Sequence, residues 1–226
     1  MTTLYIANKN YSSWSLRPWV LMSELAIPFE EIVVPFGQGS NWQTFRKFSP
    51  NGRVPCLHDG ESVVWDSLAI MEYLAEHHPG VWPSDRDART WARCAAAEMH
   101  SGFAVLRNEC GMSCGTRVRL NVIGPALKAD IARIDELWNE GLSRFGGPFL
   151  GGGAFTAVDA FYAPVVFRIQ TYNLSMSAAA SHYVERMLAL PSMRKWYVAA
   201  LAERWRDDAH EREVRHFGDV VDDLRA

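Results

Sequence analysis

The first third of the chain alternates short apolar runs with amphipathic stretches. Residues 3–8 are an apolar run bounded by polar residues, which is typical of a buried strand, and residues 30–34 are a second. Between them, residues 15–26 carry apolar side chains at helical spacing, and Pro18 falls in the first turn, where a missing N–H costs little. A strand, a helix and a strand in this order predict a parallel pair with a right-handed crossover.

The alternating pattern continues to residue 78. It predicts a short helix, two strands that Asp59-Gly60 joins as a hairpin, and an amphipathic helix, over residues 41–48, 54–59, 62–65 and 67–77. The order β-α-β-α-β-β-α indicates a small α/β domain over residues 1–78. Residues 79–87 hold two prolines and a glycine, so they are expected to form a linker.

Beyond the linker the pattern is helical. No further alternating run occurs, which predicts an all-helical domain over residues 88–226, so the fold class is α/β plus all-α. Helices are expected over residues 88–110, 122–145, 157–172, 181–189 and 192–203. The segment from Arg206 onward is rich in charge, and we expect a loosely docked extension there.

The composition argues against several classes of protein. With 226 residues, 48% hydrophobic and 22% charged, the chain has enough apolar surface to exclude full disorder. The net charge is −3 and no polybasic run occurs, which argues against a nucleic-acid partner. No apolar run is long enough to span a membrane, and no secretory signal is evident, so we expect a cytoplasmic protein. The four cysteines are expected to be free thiols, and no metal site is expected.

Four segments carry a resemblance to a known family. They read NYSSWSLR at residues 10–17, NGRVPCL at 51–57, WDSLAIMEYL at 65–74 and FTAVDA at 155–160. In this order and spacing the chain resembles the cytosolic glutathione S-transferase superfamily, in particular its serine-type, zeta- and theta-like members. The resemblance covers nearly the whole chain. It implies a thioredoxin-like N-terminal domain, a helical C-terminal domain, glutathione as co-substrate and a homodimer.

Serines cluster where the first helix is predicted to begin. A free glutathione thiol has a pKa of about 8.5, and a hydroxyl donor at a helix N-terminus favours the thiolate. The resemblance implies that Ser12, as in the zeta pattern, or Ser13, as in the theta pattern, is this donor. Helix capping is the alternative role for these serines, and Tyr11 remains a third candidate donor. Trp14 stands where zeta members have a cysteine, which weighs against maleylacetoacetate isomerase activity.

The resemblance also implies a binding site for glutathione. The Val54-Pro55 bond is expected to be cis, so that the main chain of Val54 pairs with the cysteinyl unit, and Arg53 meets the tripeptide. Asp66 and Ser67 are expected to begin a helix whose positive end holds the γ-glutamyl group. Without a ligand, Asp66 would be an ordinary N-cap, Arg53 solvated surface, and Pro55 an edge-strand residue.

The sequence leaves the second substrate open. A small hydrophobic electrophile is expected in a pocket of the helical domain, with Met99, Phe103, Leu106 and Tyr172 either lining it or packing in the core. The leading hypothesis is a glutathione transferase. A non-catalytic glutathione-binding module and a glutathione-dependent isomerase are the alternatives.

Two further features concern structure. The helix over residues 88–110 carries small side chains that either meet a second subunit or pack within their own, namely Ala92, Ala95, Ala96 and Ala97. Thr156 and Asp159 have the spacing of a capping box, and we expect a structural role for them.

Overall fold

The N-terminal domain has the element order that the sequence predicts. The structure is a computed structural model that describes residues 1–226. Its first seven elements are β1 (Thr3–Ile6), α1 (Ser13–Glu24), β2 (Glu30–Val33), α2 (Trp42–Phe45), β3 (Cys56–Asp59), β4 (Ser62–Val64) and α3 (Ser67–Ala75). Pro18 is the sixth residue of α1 and does not lie in its first turn, contrary to the prediction, because the helix begins at Ser13, two residues earlier than the pattern indicated.

These strands form one mixed sheet in the order β2-β1-β3-β4. The central strand β1 pairs in parallel with β2 and antiparallel with β3, so that Tyr5 lies opposite both Ile32 and Cys56. Strands β3 and β4 form the predicted hairpin. Leu4 and Ile6 of β1 are fully buried, and α1 packs against α3. This is the thioredoxin-like arrangement.

The C-terminal part is helical with one small sheet. Its elements are α4 (Arg86–Ser101), α5 (Ala104–Glu109), β5 (Thr116–Leu120), α6 (Pro125–Arg144), α7 (Ala157–Tyr172), α8 (Ala178–Ala189), α9 (Pro191–Ala202), α10 (Asp208–Phe217) and β6 (Gly218–Asp223). Helix α7 has the predicted bounds. The two strands β5 and β6 pair antiparallel, and the sequence pattern did not indicate them.

The long helix predicted over residues 88–110 is two helices. The break falls at Gly102 and Phe103, where Phe103 has a φ of +54° and precedes α5. A Cβ on Gly102 would lie 2.7 Å from the main-chain oxygen of Glu98, so only glycine fits this close approach.

The C-terminal tail is docked, so the expectation of a loose extension is wrong. The Arg225 side chain is only 2% exposed and pairs with Glu211 and Asp223. It also donates to the Tyr11 hydroxyl at 3.0 Å, which joins the end of the chain to the N-terminal domain. The charges in this segment pair with one another, whereas a solvated tail would leave them in water.

Helix α7 is the centre of the molecule. It packs against α1 of the N-terminal domain and against α4, and nearly all of its residues are buried. Its first N–H, at Ala157, donates to the Val81 carbonyl at 2.7 Å, and Trp82 is also buried. The segment predicted as a linker is therefore packed against the start of α7, and α4 begins at Arg86.

The alanines of α4 pack within their own chain. Ala92, Ala95 and Ala96 are buried, and the Tyr162 hydroxyl of α7 donates to the Ala95 carbonyl at 3.1 Å. Only Ala97 is exposed. The alanine face therefore gives no support to a dimer contact.

Candidate active site

A cleft of about 640 Å³ lies between the two domains. The N-terminal domain contributes the start of α1, the loop before β3 and the α2 region. The helical domain contributes α5, α7 and the docked tail. The residues that matter for its chemistry are Tyr11, Ser12, Ser13, Trp14, Arg53, Val54, Arg107, Arg168, His210 and Glu213.

The two candidate serines differ in what their hydroxyls do. Ser12 precedes α1, is 5% exposed, and its hydroxyl donates to the Ser15 hydroxyl at 2.7 Å. It makes no side-chain capping bond, contrary to the capping role considered for it. Ser13 is the first residue of α1, is partly exposed to the cleft, and its hydroxyl has no partner within the protein. Ser13 is thus the free donor at the helix N-terminus.

Tyr11 is committed to another contact. Its hydroxyl donates to Glu211 at 2.5 Å, and its ring stacks on His210 of the docked tail with centroids 5.1 Å apart. Burial, together with Glu211, raises the pKa of Tyr11 to about 12. This hydroxyl holds the tail and is poorly placed to give a hydrogen bond to a ligand in the cleft.

The loop before β3 forms a second wall of the cleft. Arg53 and Val54 line it, and the Val54-Pro55 bond is cis, as expected, with Pro55 buried beneath. Gly52 has a φ of +62°, and a Cβ there would lie 2.4 Å from the Trp42 ring. Glycine is therefore required at this turn. Arg53 is exposed at the mouth of the cleft.

Asp66 and Ser67 lie beside this cleft and are not among its lining residues. Asp66 is the N-cap of α3: its carboxylate accepts from the Leu68 N–H at 2.9 Å and lies 3.4 Å from the His100 ring. Ser67 is fully buried, and its hydroxyl lies 3.5 Å from Nη1 of Arg17. Of the predicted site residues, the structure thus brings Ser12, Ser13, Arg53 and Val54 together in the cleft. It leaves Asp66 and Ser67 outside the cleft lining.

Arg17 contacts both Trp14, which lines the cleft, and Ser67, which does not. The Arg17 guanidinium is buried and stacks on the Trp14 ring, 4.1 Å from the centroid. Burial, together with the nearby charges of Arg168 and Arg107, lowers the pKa of Arg17 to about 9. Arg17 stays cationic at neutral pH, so it places positive charge directly behind the cleft.

Two more arginines reach the cleft from the helical domain. Arg168 of α7 is 4% exposed, and its Nε donates to the Cys110 carbonyl at 2.8 Å. Arg107 of α5 uses Nη1 for the His100 carbonyl at 3.2 Å. None of the three arginines forms an ion pair. Acidic side chains offset part of this charge at longer range, namely Asp66, Asp130 and Glu213.

The side chains expected to line an apolar pocket do not line this cleft. Met99, Phe103, Leu106 and Tyr172 are all buried in the core, which is the alternative considered for them. Sequence reasoning missed Arg107, Arg168, His210 and Glu213. An arginine within the otherwise apolar stretch of α7 was the one available signal, since an isolated charge on a buried helix needs a reason.

All four cysteines are free, and burial raises the pKa of the Cys110 thiol to about 12. No cluster of three or more histidine, cysteine or acidic side chains suits a metal ion. None of the helices has the length and apolar character to cross a membrane.

Comparison with known proteins gives a family match for each of the two domains. The family model for the glutathione S-transferase N-terminal domain matches residues 11–77, and the model for the C-terminal domain matches residues 95–199. A solved structure of a glutathione transferase homologue from Burkholderia with bound glutathione superimposes with a TM-score of 0.66. It is 23% identical and covers 88% of this chain and 97% of that one. A theta-class glutathione S-transferase from Xanthomonas axonopodis gives a TM-score of 0.64 at 23% identity, over 87% and 96% of the two chains.

Curated relatives point the same way. A zeta-class glutathione S-transferase of Euphorbia esula is 28% identical over 74% of this chain and 76% of its own length. A probable maleylacetoacetate isomerase of Caenorhabditis elegans is 24% identical over 77% and 81%. The dichloromethane dehalogenase of Methylorubrum extorquens is 46% identical over 61 residues, which are 26% of this chain and only 21% of that protein.

Proposed function

Because the chain belongs to the glutathione S-transferase family, we propose that it binds glutathione in the interdomain cleft and uses Ser13 to stabilise the thiolate for attack on an electrophile. The observation that carries this proposal is the free Ser13 hydroxyl at the first position of α1. Ser12 is occupied by Ser15, and Tyr11 by Glu211. Of the three candidates for the donor, only Ser13 is available.

The surroundings of Ser13 favour an anion. The N-terminus of α1 carries about half a positive charge, and Arg17 adds a full charge behind it. Both lower the free energy of a thiolate relative to the thiol, as does a hydrogen bond from Ser13. The sulfur then forms a bond to the electrophilic carbon, and the leaving group departs with its electron pair. The thiol proton has already passed to solvent.

The other glutathione contacts follow from the walls of the cleft. The main chain of Val54, next to the cis Pro55, is free to pair with the cysteinyl unit in a strand-like manner, and Arg53 lies at the open end. We assign the γ-glutamyl group to Asp66 and Ser67 at the start of α3, where Arg17 adds positive charge. Since Ser67 is fully buried, this contact requires the side chains around the start of α3 to move when glutathione binds.

Replacing Ser67 tests that assignment. We expect Ser67→Ala to weaken glutathione binding by about 10- to 100-fold while leaving kcat nearly unchanged, because the hydroxyl meets a non-reacting end of the ligand and a hydrogen bond to a charged group contributes about 1.5–3 kcal/mol. Calorimetric titration with glutathione measures the effect. An unchanged Kd would remove Ser67 from the binding site, and Ser62→Ala on strand β4 is the matched control.

A glutathione-dependent isomerase is the second candidate, because relatives named maleylacetoacetate isomerase and maleylpyruvate isomerase match this chain. Trp14 at the position of the zeta-class cysteine counts against it. A transferase consumes glutathione, whereas an isomerase returns it. Retention on glutathione resin, followed by assays with chlorodinitrobenzene and with maleylacetoacetate, separates the two reactions, and retention without turnover would indicate a binding module.

We also propose that the protein is a homodimer, as two-fold dimers are the commonest soluble oligomers. Light scattering at micromolar concentration should report twice the 25.5 kDa mass of the chain. A single-chain mass that persists on concentration contradicts the dimer. The cleft is built from one chain, so that result leaves the glutathione site in place. The cytoplasmic location stays a prediction.

A further inference from the structure

The cleft holds cationic groups that the binding of the glutathione thiol does not use. Arg168 is 4% exposed, yet it lines the cleft, and neither of its two Nη groups donates a hydrogen bond within the protein. Burying a guanidinium without an ion-pair partner is costly. Such a group is stabilised when a ligand supplies the opposite charge.

Arg107 strengthens this feature. It lies on α5, reaches the same cleft, and has only Nη1 engaged, by the His100 carbonyl. The negative charge of Asp130 acts on Arg107, but its carboxylate already accepts a hydrogen bond from the Leu106 N–H. Arg107 and Arg168 therefore present unused donors from two different helices on the side of the cleft that the helical domain forms.

The charge is present at neutral pH. Burial, with only partial compensation by neighbouring acids, lowers the pKa of Arg168 to about 10, so the guanidinium remains protonated. Glu213, on the docked tail, lines the same cleft but forms no ion pair with either arginine. A planar guanidinium with free donors matches a carboxylate, which accepts two parallel hydrogen bonds.

Resting on the proposed function, we propose that the second substrate is an electrophile that carries a carboxylate, and that Arg168 and Arg107 bind this carboxylate while the reactive carbon faces the sulfur near Ser13. This differs from the small hydrophobic electrophile that is expected from the sequence. A model reaction shows the step. The glutathione sulfur bonds to C4 of 4-chloro-3-nitrobenzoate, and chloride leaves with the electrons of the C–Cl bond.

Binding of two synthetic products tests the proposal without requiring turnover. They are the glutathione conjugate of 4-chloro-3-nitrobenzoate and the conjugate of its methyl ester, which differ only in the charge of the carboxyl group. Calorimetry on the full chain should give a Kd about tenfold lower or more for the carboxylate. In Arg168→Met and in Arg107→Met this preference should fall below about threefold, with the Kd for glutathione itself unchanged.

The controls separate charge, folding and glutathione binding. Arg119→Met removes the same charge from an exposed position on β5 and should keep the full preference. If loss of the bond to Cys110 unfolds Arg168→Met, as circular dichroism would show, Arg107→Met decides alone. Equal binding of the two conjugates by the natural protein, no binding of either, or a preference that survives in Arg107→Met overturns the proposal.

Two further outcomes are distinguishable. If both arginine variants weaken glutathione as much as the carboxylate conjugate, the arginines hold a carboxylate of glutathione and the proposal is overturned. If the carboxylate preference is found but neither chloronitrobenzoate nor its ester is turned over, the preference stands and the proposed transferase activity fails.

Discussion

Replacing Ser13 by alanine should lower kcat/KM near neutral pH by about 10- to 100-fold and move the pH–rate profile to higher pH by about one to two units. The reason is the lost hydrogen bond to the glutathione thiolate, since one charge-assisted bond of about 1.5–3 kcal/mol is equivalent to a pKa change of that size. The absorbance of the bound thiolate, followed against pH, measures the pKa directly. At high pH, where both proteins hold the thiolate, their rates should converge.

Ser12→Ala is the matched control. The Ser12 hydroxyl donates to Ser15, so its removal should change the thiol pKa little and act mainly through the local packing of α1. Tyr11→Phe should likewise leave the thiol pKa unchanged, because its hydroxyl is held by Glu211 and Arg225. If Ser12→Ala shifted the pKa and Ser13→Ala did not, the assignment of the donor would be wrong.

Asp159→Ala should reduce the free energy of unfolding by about 3–5 kcal/mol. Asp159 is fully buried at the start of α7, and its carboxylate accepts from the Leu150 and Thr156 N–H groups at 3.0 and 2.9 Å and from the Tyr183 hydroxyl at 3.0 Å. Alanine would leave these donors buried without an acceptor. Urea unfolding followed by tryptophan fluorescence measures the loss, which should appear in protein yield as well.

A smaller change at the same hydrogen-bond cluster should reduce the free energy of unfolding by less. Tyr183→Phe removes only one of the hydrogen bonds and should cost about 1 kcal/mol.

Burial raises the pKa of Asp159 to about 6, although its hydrogen bonds act in the opposite direction. Because the folded-state pKa is raised, the stability that this group contributes is largest at low pH and declines as the pH rises through 6. A loss below about 1 kcal/mol in Asp159→Ala would show that the motif is dispensable.

The elements of the N-terminal domain could be predicted because each one is encoded locally. The apolar run around Leu4 and the helical stripe that contains Leu16 specify a strand and a helix before any packing is known. The capping box of Thr156 and Asp159 is equally local, and the structure confirms it. The strands β5 and β6 escaped detection because their partners are about a hundred residues apart, as in the pair of Thr116 with Asp223.

The candidate site was predictable only in part. The sequence placed Ser12 and Ser13 together but could not choose between them, because the choice depends on which hydroxyl Ser15 engages. It could not anticipate the docked tail, since the ion pair of Arg225 with Glu211 forms only when α10 and β6 fold back. A run of charges has the same composition whether its members are solvated or paired.

By itself, the sequence determined the order of the elements in the N-terminal domain, the family and the serine-containing segment at the start of α1, because these depend on periodicity and on short motifs. Tertiary structure alone decided the character of the cleft. Arg17, Arg107 and Arg168 lie far apart in the chain and come from three different helices, yet packing places their charges within reach of one another. Local patterns specify which residues form a helix, whereas the charge that faces a ligand is set by how the helices pack.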